Sequence, residues 1–110
     1  MPRPTALFAA NDCMAVGALS ALRELGLRVP DDVVVAGFDD IAMASYITPR
    51  LTTVRVEASR LGERAVQLLM DAIRNRGANG PASREVLPTS LVVRESSDAS
   101  ALEGSRSGAR

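Results

Sequence analysis

Residues 28–40 read RVPDDVVVAGFDD, from Arg28 to Asp40, and this stretch decides the fold. Val33-Val34-Val35-Ala36-Gly37 is a continuous apolar run rich in β-branched residues. Such a run fits a short parallel strand buried on both faces better than an alternating, half-wet one. Pro30, Asp31 and Asp32 mark its start, and Gly37 and Phe38 its end, where Asp39 and Asp40 follow at once. A buried strand that delivers an acid at its carboxyl end is the usual geometry of a ligand site in an open α/β sheet.

Toward the N-terminus, Thr5 to Ala10 (TALFAA) is a second short apolar run, followed by Asn11 and Asp12. Met14, Ala18, Ala21, Leu22 and Leu25 then recur at helical spacing as one apolar stripe. Gly17 weakens that helix slightly unless close packing needs a missing side chain there. Asn11 or Asp12 can cap it, and Gly26 supplies a left-handed stop. The first forty residues therefore read strand, helix, strand, with a connection long enough for a parallel crossover. Both strands then end on one edge of one sheet. If they are neighbours, the Asn11-Asp12 and Asp39-Asp40 corners lie within roughly 5–10 Å, given about 4.8 Å between adjacent strands.

Toward the C-terminus, Ile41 to Ile47 is expected as a short helix halted by Thr48-Pro49, and Leu51 to Val56 (LTTVRV) as a strand. Ser59 is placed to cap a long helix over Arg60 to Arg76, with Leu61, Ala65, Leu68, Leu69, Ala72 and Ile73 on its apolar face. Gly62 inside it asks for close packing, and Gly77 ends it. Glu85 to Leu87 and Leu91 to Arg94 read as β segments interrupted by Pro88. From Ser96 onward the chain is mostly Ser, Ala, Gly and charge, a poor core former. The expected division is one folded region over residues 1–95 and a disordered tail over 96–110. The expected class is α/β, a parallel sheet with flanking helices.

Composition narrows the function. Thirteen basic and thirteen acidic side chains cancel in 110 residues, so no global field favours nucleic acid or an anionic membrane. One cysteine, Cys13, excludes an internal disulfide, and a buried small hydrophobe is its expected role. The absence of histidine removes His-based triads, most catalytic zinc sites and the usual general base at neutral pH. No apolar run approaches the roughly 20 residues of a membrane span, and no secretory signal is legible, so a cytoplasmic protein is expected.

The acids carry what chemistry there is. Asp39 has two readings, a ligand-binding carboxylate or the cap of the next helix, and Asp40 leans to the cap. Asn11 and Asp12 share the ambiguity and lean to capping. A hard cation held by Asp12, Asp39 and Asp40 is conceivable, but acids at strand ends are too common to assign a metal. No G-x-G-x-x-G and no P-loop occurs, so no nucleotide fingerprint is present. Arg60, Arg64, Arg74 and Arg76 give the long helix a basic side that reads as a solvated face. Neither a catalytic residue nor a cofactor is assigned, and the residues point to a small-molecule-binding α/β half-domain, not an enzyme.

Four consecutive segments resemble one family: TALFAANDCMAVGALSALRELGLRVPDDVVVAGFDD, YITPRLTTVRV, ASRLGERAVQLLMDAI and LPTSLVVRESS. Together, over roughly Arg3 to Ser97, they look like the C-terminal part of lactose-repressor (LacI/GalR) family transcription regulators. The resemblance implies a partial periplasmic-binding-protein-like type I (Rossmann-like) lobe. It implies a core that binds a small-molecule effector, a sugar or purine-like metabolite, between two lobes, and that pairs as a homodimer. The family's acidic effector ligand falls on Asp39, and its strand-end Asn on Asn11, with Asp12 beside it. The family's dimer surface falls on Met14 and Val16 and on Ala42, Ser45 and Tyr46. Thr52, Thr53 and Val54 would cross from one lobe to the other. Several relatives carry a ligand-contacting Gln shortly after the TT pair, where this chain has Val56.

The resemblance reaches neither a helix-turn-helix headpiece nor a hinge helix, so operator DNA would be contacted only through a headpiece absent from this chain. The sequence is therefore expected to be a truncated gene, an internal start or a fragment. A periplasmic-type sugar-binding or transport component is the competing reading, and a decayed gene product without independent function a third.

Overall fold

A computed structural model describes residues 1–75 and 83–98. The chain forms two compact units, Met1–Arg55 with Ser90–Arg110, and Val56–Thr89.

The first unit is a four-stranded sheet in the order β1-β2-β3-β4, from β1 (Ala6–Phe8), β2 (Val34–Asp39), β3 (Thr52–Arg55) and β4 (Ser90–Val92). β1 runs parallel to β2 with Phe8 opposite Ala36, and β2 parallel to β3 with Gly37 opposite Thr53. β4 is antiparallel to β3, so the sheet is mixed, not wholly parallel. Helix α1 (Asp12–Glu24) connects β1 to β2, and a single 3-10 turn (Ala42–Ser45) stands where a short helix was expected after β2. The core is small: Ala9, Ala15, Val33, Val35, Ala44 and Leu51, with Leu7, Leu19, Leu22, Leu27 and Ile47 packed around it. The β-branched run at 33–35 thus supplies the centre of the sheet, as its pattern requires.

Several local expectations shift. The buried stripe of α1 follows Asp12, Ala15, Leu19 and Leu22, at i, i+3, i+7 and i+10, whereas Met14 and Leu25 face solvent. An acid in the core register rotates the helix away from the phase that its apolar residues alone suggest. Cys13, beside that acid, is consequently exposed and not buried. Gly26 does close α1, at φ +71°. Ser96 is not tail: it is fully buried, its hydroxyl donates to Val35 O at 2.6 Å and accepts from Thr52 N at 2.8 Å. Ser97 also reaches the Thr52 hydroxyl, at 2.5 Å. A serine run mimics a disordered segment in composition, but here its hydroxyls replace backbone partners at the end of the sheet. Residues 99–110 of the expected tail lie outside the described residues.

The second unit contains α2 (Ala58–Arg74), with no residue buried. Glu57, not Ser59, occupies its N-cap position, without a side-chain cap bond. Arg64 grips Glu85 through Nε at 2.8 Å and Nη2 at 2.5 Å, and its Nη1 donates to Gln67 Oε1. Glu85 to Leu87 is irregular, not β, and the Glu85 carboxylate is bonded to that arginine. Among the described residues, nothing beyond the chain neighbours and the helix's own backbone lies within 4 Å of where a Cβ would stand on Gly17 or Gly62, so close packing explains neither. Arg76 and Gly77 lie outside the described residues.

The loop that leads into β2 is held by Arg28, whose Nε and Nη2 each donate to Asp32 at 3.0 Å while its backbone N–H donates to Asp32 Oδ2 at 2.8 Å. These bonds hold the Asp32 carboxyl down at about 2, from an ordinary 3.8. Because its folded value is depressed, the contribution is fully present above about pH 4 and is lost as pH falls through 2. A carbon-13 titration of the Asp32 carboxyl should give a midpoint near 2 in folded protein. A midpoint at the ordinary carboxylate value would remove this clasp from solution.

Candidate functional site

Two strand ends and one buried acid build the site. β1 ends at Phe8, Ala9 N donates to Ala36 O at 2.8 Å, and the chain turns into α1 through Asn11. Asn11 is the N-cap of α1, its Oδ1 accepting from Met14 N at 2.8 Å, which satisfies one of the free donors of the first turn. β2, the next strand, ends at Asp39, so the Asn11 and Asp39 corners sit on the same sheet edge, as the crossover reading expected.

Asp12 lies behind this edge, fully buried. Its Oδ1 accepts from the Thr53 hydroxyl at 2.6 Å and its Oδ2 from Ile41 N at 2.9 Å, so both oxygens are bound to the protein. Asp12 thereby fastens α1 to β3 and to the chain that leaves β2. Gly37 makes room for it, since a Cβ there would stand under 3.0 Å from Asp12 Oδ1 and within 3.3 Å of Leu51 and Ala15 side-chain atoms.

Asp39 and Asp40 both have left-handed backbones, φ +113° and +57°. For residues other than glycine such conformations cost on the order of 1–3 kcal/mol each and persist only where the surroundings impose them. The imposing contacts are visible. Ile41 N is held by Asp12, Asp40 N donates to Thr53 Oγ1 at 3.3 Å, and the Asp40 carboxylate is held between Arg55 Nε at 2.6 Å and Arg94 Nη2 at 2.8 Å. Burial alone would push the Asp40 carboxyl up, but the hydrogen bonds and charges of Arg55 and Arg94 hold it below the ordinary range. Neither acid caps the following turn, whose N-cap is Ile41 without a side-chain bond. The capping reading of both acids fails: both precede the N-cap Ile41, and the Asp40 carboxylate is taken by Arg55 and Arg94. Asp39 is exposed, and its carboxylate has no hydrogen-bond or ion-pair partner among the described residues.

The other expected positions separate into two places. Thr52 and Thr53 are buried in β3, with Val54 partly buried beside them, immediately before the first unit ends at Arg55. Met14 and Tyr46 are exposed, at 57% and 82%, as are Ala42 and Ser45, while Val16 is half-buried. Val16 also lines a groove of about 470 Å³ between α1 and residues 47–49, with Leu19, Arg23, Leu27 and Ile47. That groove contains none of Asn11, Asp39 or Asp40, so it lies apart from the strand-end acids. Arg55 and Arg94 went unread in the sequence, although each lies in a short β-rich segment that could meet the acid pair.

The carboxyl edge of the sheet thus carries the Asn11 amide corner and the exposed, strained Asp39, backed by the buried Asp12. Residues 1–97 match the family model of the periplasmic binding protein-like domain, and the chain belongs to that family. It is 46% identical over 96 residues to the HTH-type transcriptional repressor PurR of Mannheimia succiniciproducens, covering 86% of this chain and 28% of that protein. Among solved structures, the transcriptional regulator CelR–cellobiose complex superposes at TM-score 0.76 with 42% identity, over 84% of this chain and 28% of that one. The lac repressor dimer bound to operator and the anti-inducer ONPF superposes at 0.75 with 39% identity, over 86% of this chain and 28% of that one. The chain is homologous to the C-terminal core portion of LacI-type regulators and spans a little over a quarter of the curated relative's length.

Proposed function

We propose that this chain is the effector-sensing and dimerising part of a LacI-type transcription regulator, with a sugar or related metabolite as effector. The observation that carries the reading is Asp39, an exposed carboxylate without a partner among the described residues at the end of a central strand, on a backbone that the neighbouring contacts hold in a costly conformation. Asn11, on the adjacent strand end, offers its amide nitrogen while its oxygen caps α1. Asp12 contributes from behind, by fixing the corner. A sugar suits an unpaired carboxylate, because hydroxyl groups donate to an ionised acceptor in charge-assisted bonds. CelR, similar in sequence and fold, is known in complex with cellobiose, which supports a sugar effector here. The test grafts residues 1–97 into CelR in place of the matching segment and follows operator-linked expression in cells. The graft should respond to effector, and the Asp39→Asn graft should not; an equal response by both would reject the reading.

Dimerisation is proposed through the exposed residues Met14, Ala42, Ser45 and Tyr46, together with half-buried Val16. Large apolar side chains this exposed are suited to burial against a second copy, with the aromatic as anchor. Tyr46→Asp should weaken self-association of the graft at least about tenfold in sedimentation equilibrium, since a charge would be buried without a partner. An unchanged dimer constant would move the interface elsewhere.

A further inference from the structure

The Asp40 cluster has a placement that ligand binding alone does not require. Arg55 is the last residue of the first unit before the chain passes into the second, and Arg94 follows β4, the strand by which it returns. Both arginines converge on one carboxylate, Arg55 Nε on Oδ2 at 2.6 Å and Arg94 Nη2 on Oδ1 at 2.8 Å. Arg94 is also tied to the sheet, its Nη1 donating to Leu51 O at 3.0 Å and its backbone N–H to Thr52 Oγ1 at 2.7 Å. The carboxylate they share belongs to the residue directly after Asp39, and Asp39 is itself opposite Arg55 in the β2–β3 ladder. The outgoing strand, the returning strand and the strained corner are thus joined at one side chain.

We propose that Asp40 is a positioning residue that couples the conformation of the Asp39 corner to both strands crossing between the two units. It rests on the reading of Asp39 as the ligand carboxylate. Arg55 and Arg94 hold Asp40 in its left-handed conformation, and that conformation sets where the Asp39 carboxylate stands. Any change at Asp39, such as ligand capture, acts on both crossings together through the shared ion pairs, and any shift of a crossing strand acts back on Asp39, as reciprocity of coupling requires. Two positive-φ residues in succession suit this use, because a strained corner has a relaxed alternative.

Amide hydrogen exchange by NMR on the whole 110-residue chain, without ligand, tests the coupling separately from the effector reading. Arg55→Gln removes one contact on the outgoing strand, at a partly exposed side chain, and leaves the fold's core untouched. Exchange at the Asp40 and Arg94 amides should rise together, at least about tenfold, while Val35 and Ala15, bonded to Ser96 O and Asn11 O, stay within twofold. In an Asp40→Asn background the same Arg55→Gln change should no longer alter Arg94, because the carboxylate linking the two has gone. If Arg55→Gln affects Arg94 equally in both backgrounds, the β3–β4 ladder carries the effect and Asp40 is not the link. A uniform loss of protection, Val35 and Ala15 included, would make the cluster a structural prop and overturn the proposal.

Discussion

Gly37→Ala should cost the first unit about 3 kcal/mol or more and leave it largely unfolded at room temperature. The added Cβ would meet Asp12 Oδ1 under 3.0 Å, with Leu51 Cδ2 at 3.2 Å and Ala15 Cβ at 3.3 Å on its other sides. None of these neighbours is free to retreat. Asp12 is bonded to Thr53 and Ile41, Leu51 is fully buried, and Ala15 is backbone-close on a packed helix. Overpacking of a rigid core ordinarily costs 1–3 kcal/mol, and here a buried hydrogen-bond pair is broken as well. Gly17→Ala is the control. Nothing lies within 4 Å of that position on the solvent side of α1, so alanine should stabilise by about 0.5–1 kcal/mol. Urea unfolding followed by far-UV circular dichroism checks both, and a Gly37→Ala midpoint equal to wild type would show that the buried corner is not as packed as described.

Asp12→Ala should be nearly as damaging, at about 2–4 kcal/mol. It leaves the buried Thr53 hydroxyl and the part-buried Ile41 N–H without an acceptor, each costing roughly 1–3 kcal/mol less whatever water regains. Asp12→Asn is not a mild version. Both oxygens accept in the folded protein, and an amide must turn its NH₂ either against the Ile41 N–H or toward Thr53 Oγ1, whose own proton then loses its acceptor. The two variants should therefore unfold at similar denaturant midpoints, well below wild type. An Asp12→Asn protein as stable as wild type would mean that one of the two bonds is absent in solution.

The sheet's first three strands and α1 were legible because their signals are local: β-branched runs, helical spacing, Asn at a cap, Gly at a stop. The family resemblance, borne out by the match over residues 1–97, fixed the fold beyond what periodicity could. What sequence did not reveal is the part made by tertiary contact. Asp12 looked like one more strand-end acid, and only the Thr53 and Ile41 contacts show it as the pin of the core. The phase of α1 and the exposure of Cys13 follow from that pin, so they were missed with it. Ser96 was lost for the opposite reason, since small polar residues look alike whether they are solvated or bonded to a strand end. The Asp40 cluster joins residues 15 and 54 positions apart, beyond any local pattern.

The central claim is that Asp39 presents a carboxylate kept free for a ligand. Isothermal titration calorimetry on the CelR graft carrying residues 1–97, with cellobiose, ribose and free purine bases as probes, tests it most directly. For whichever probe the graft binds, Asp39→Asn should lower affinity at least about 100-fold, as expected when a charge-assisted acceptor is replaced by a neutral amide, while circular dichroism stays unchanged. Equal affinity in the graft and its Asp39→Asn variant would contradict the claim and leave the strained corner without a ligand to explain it.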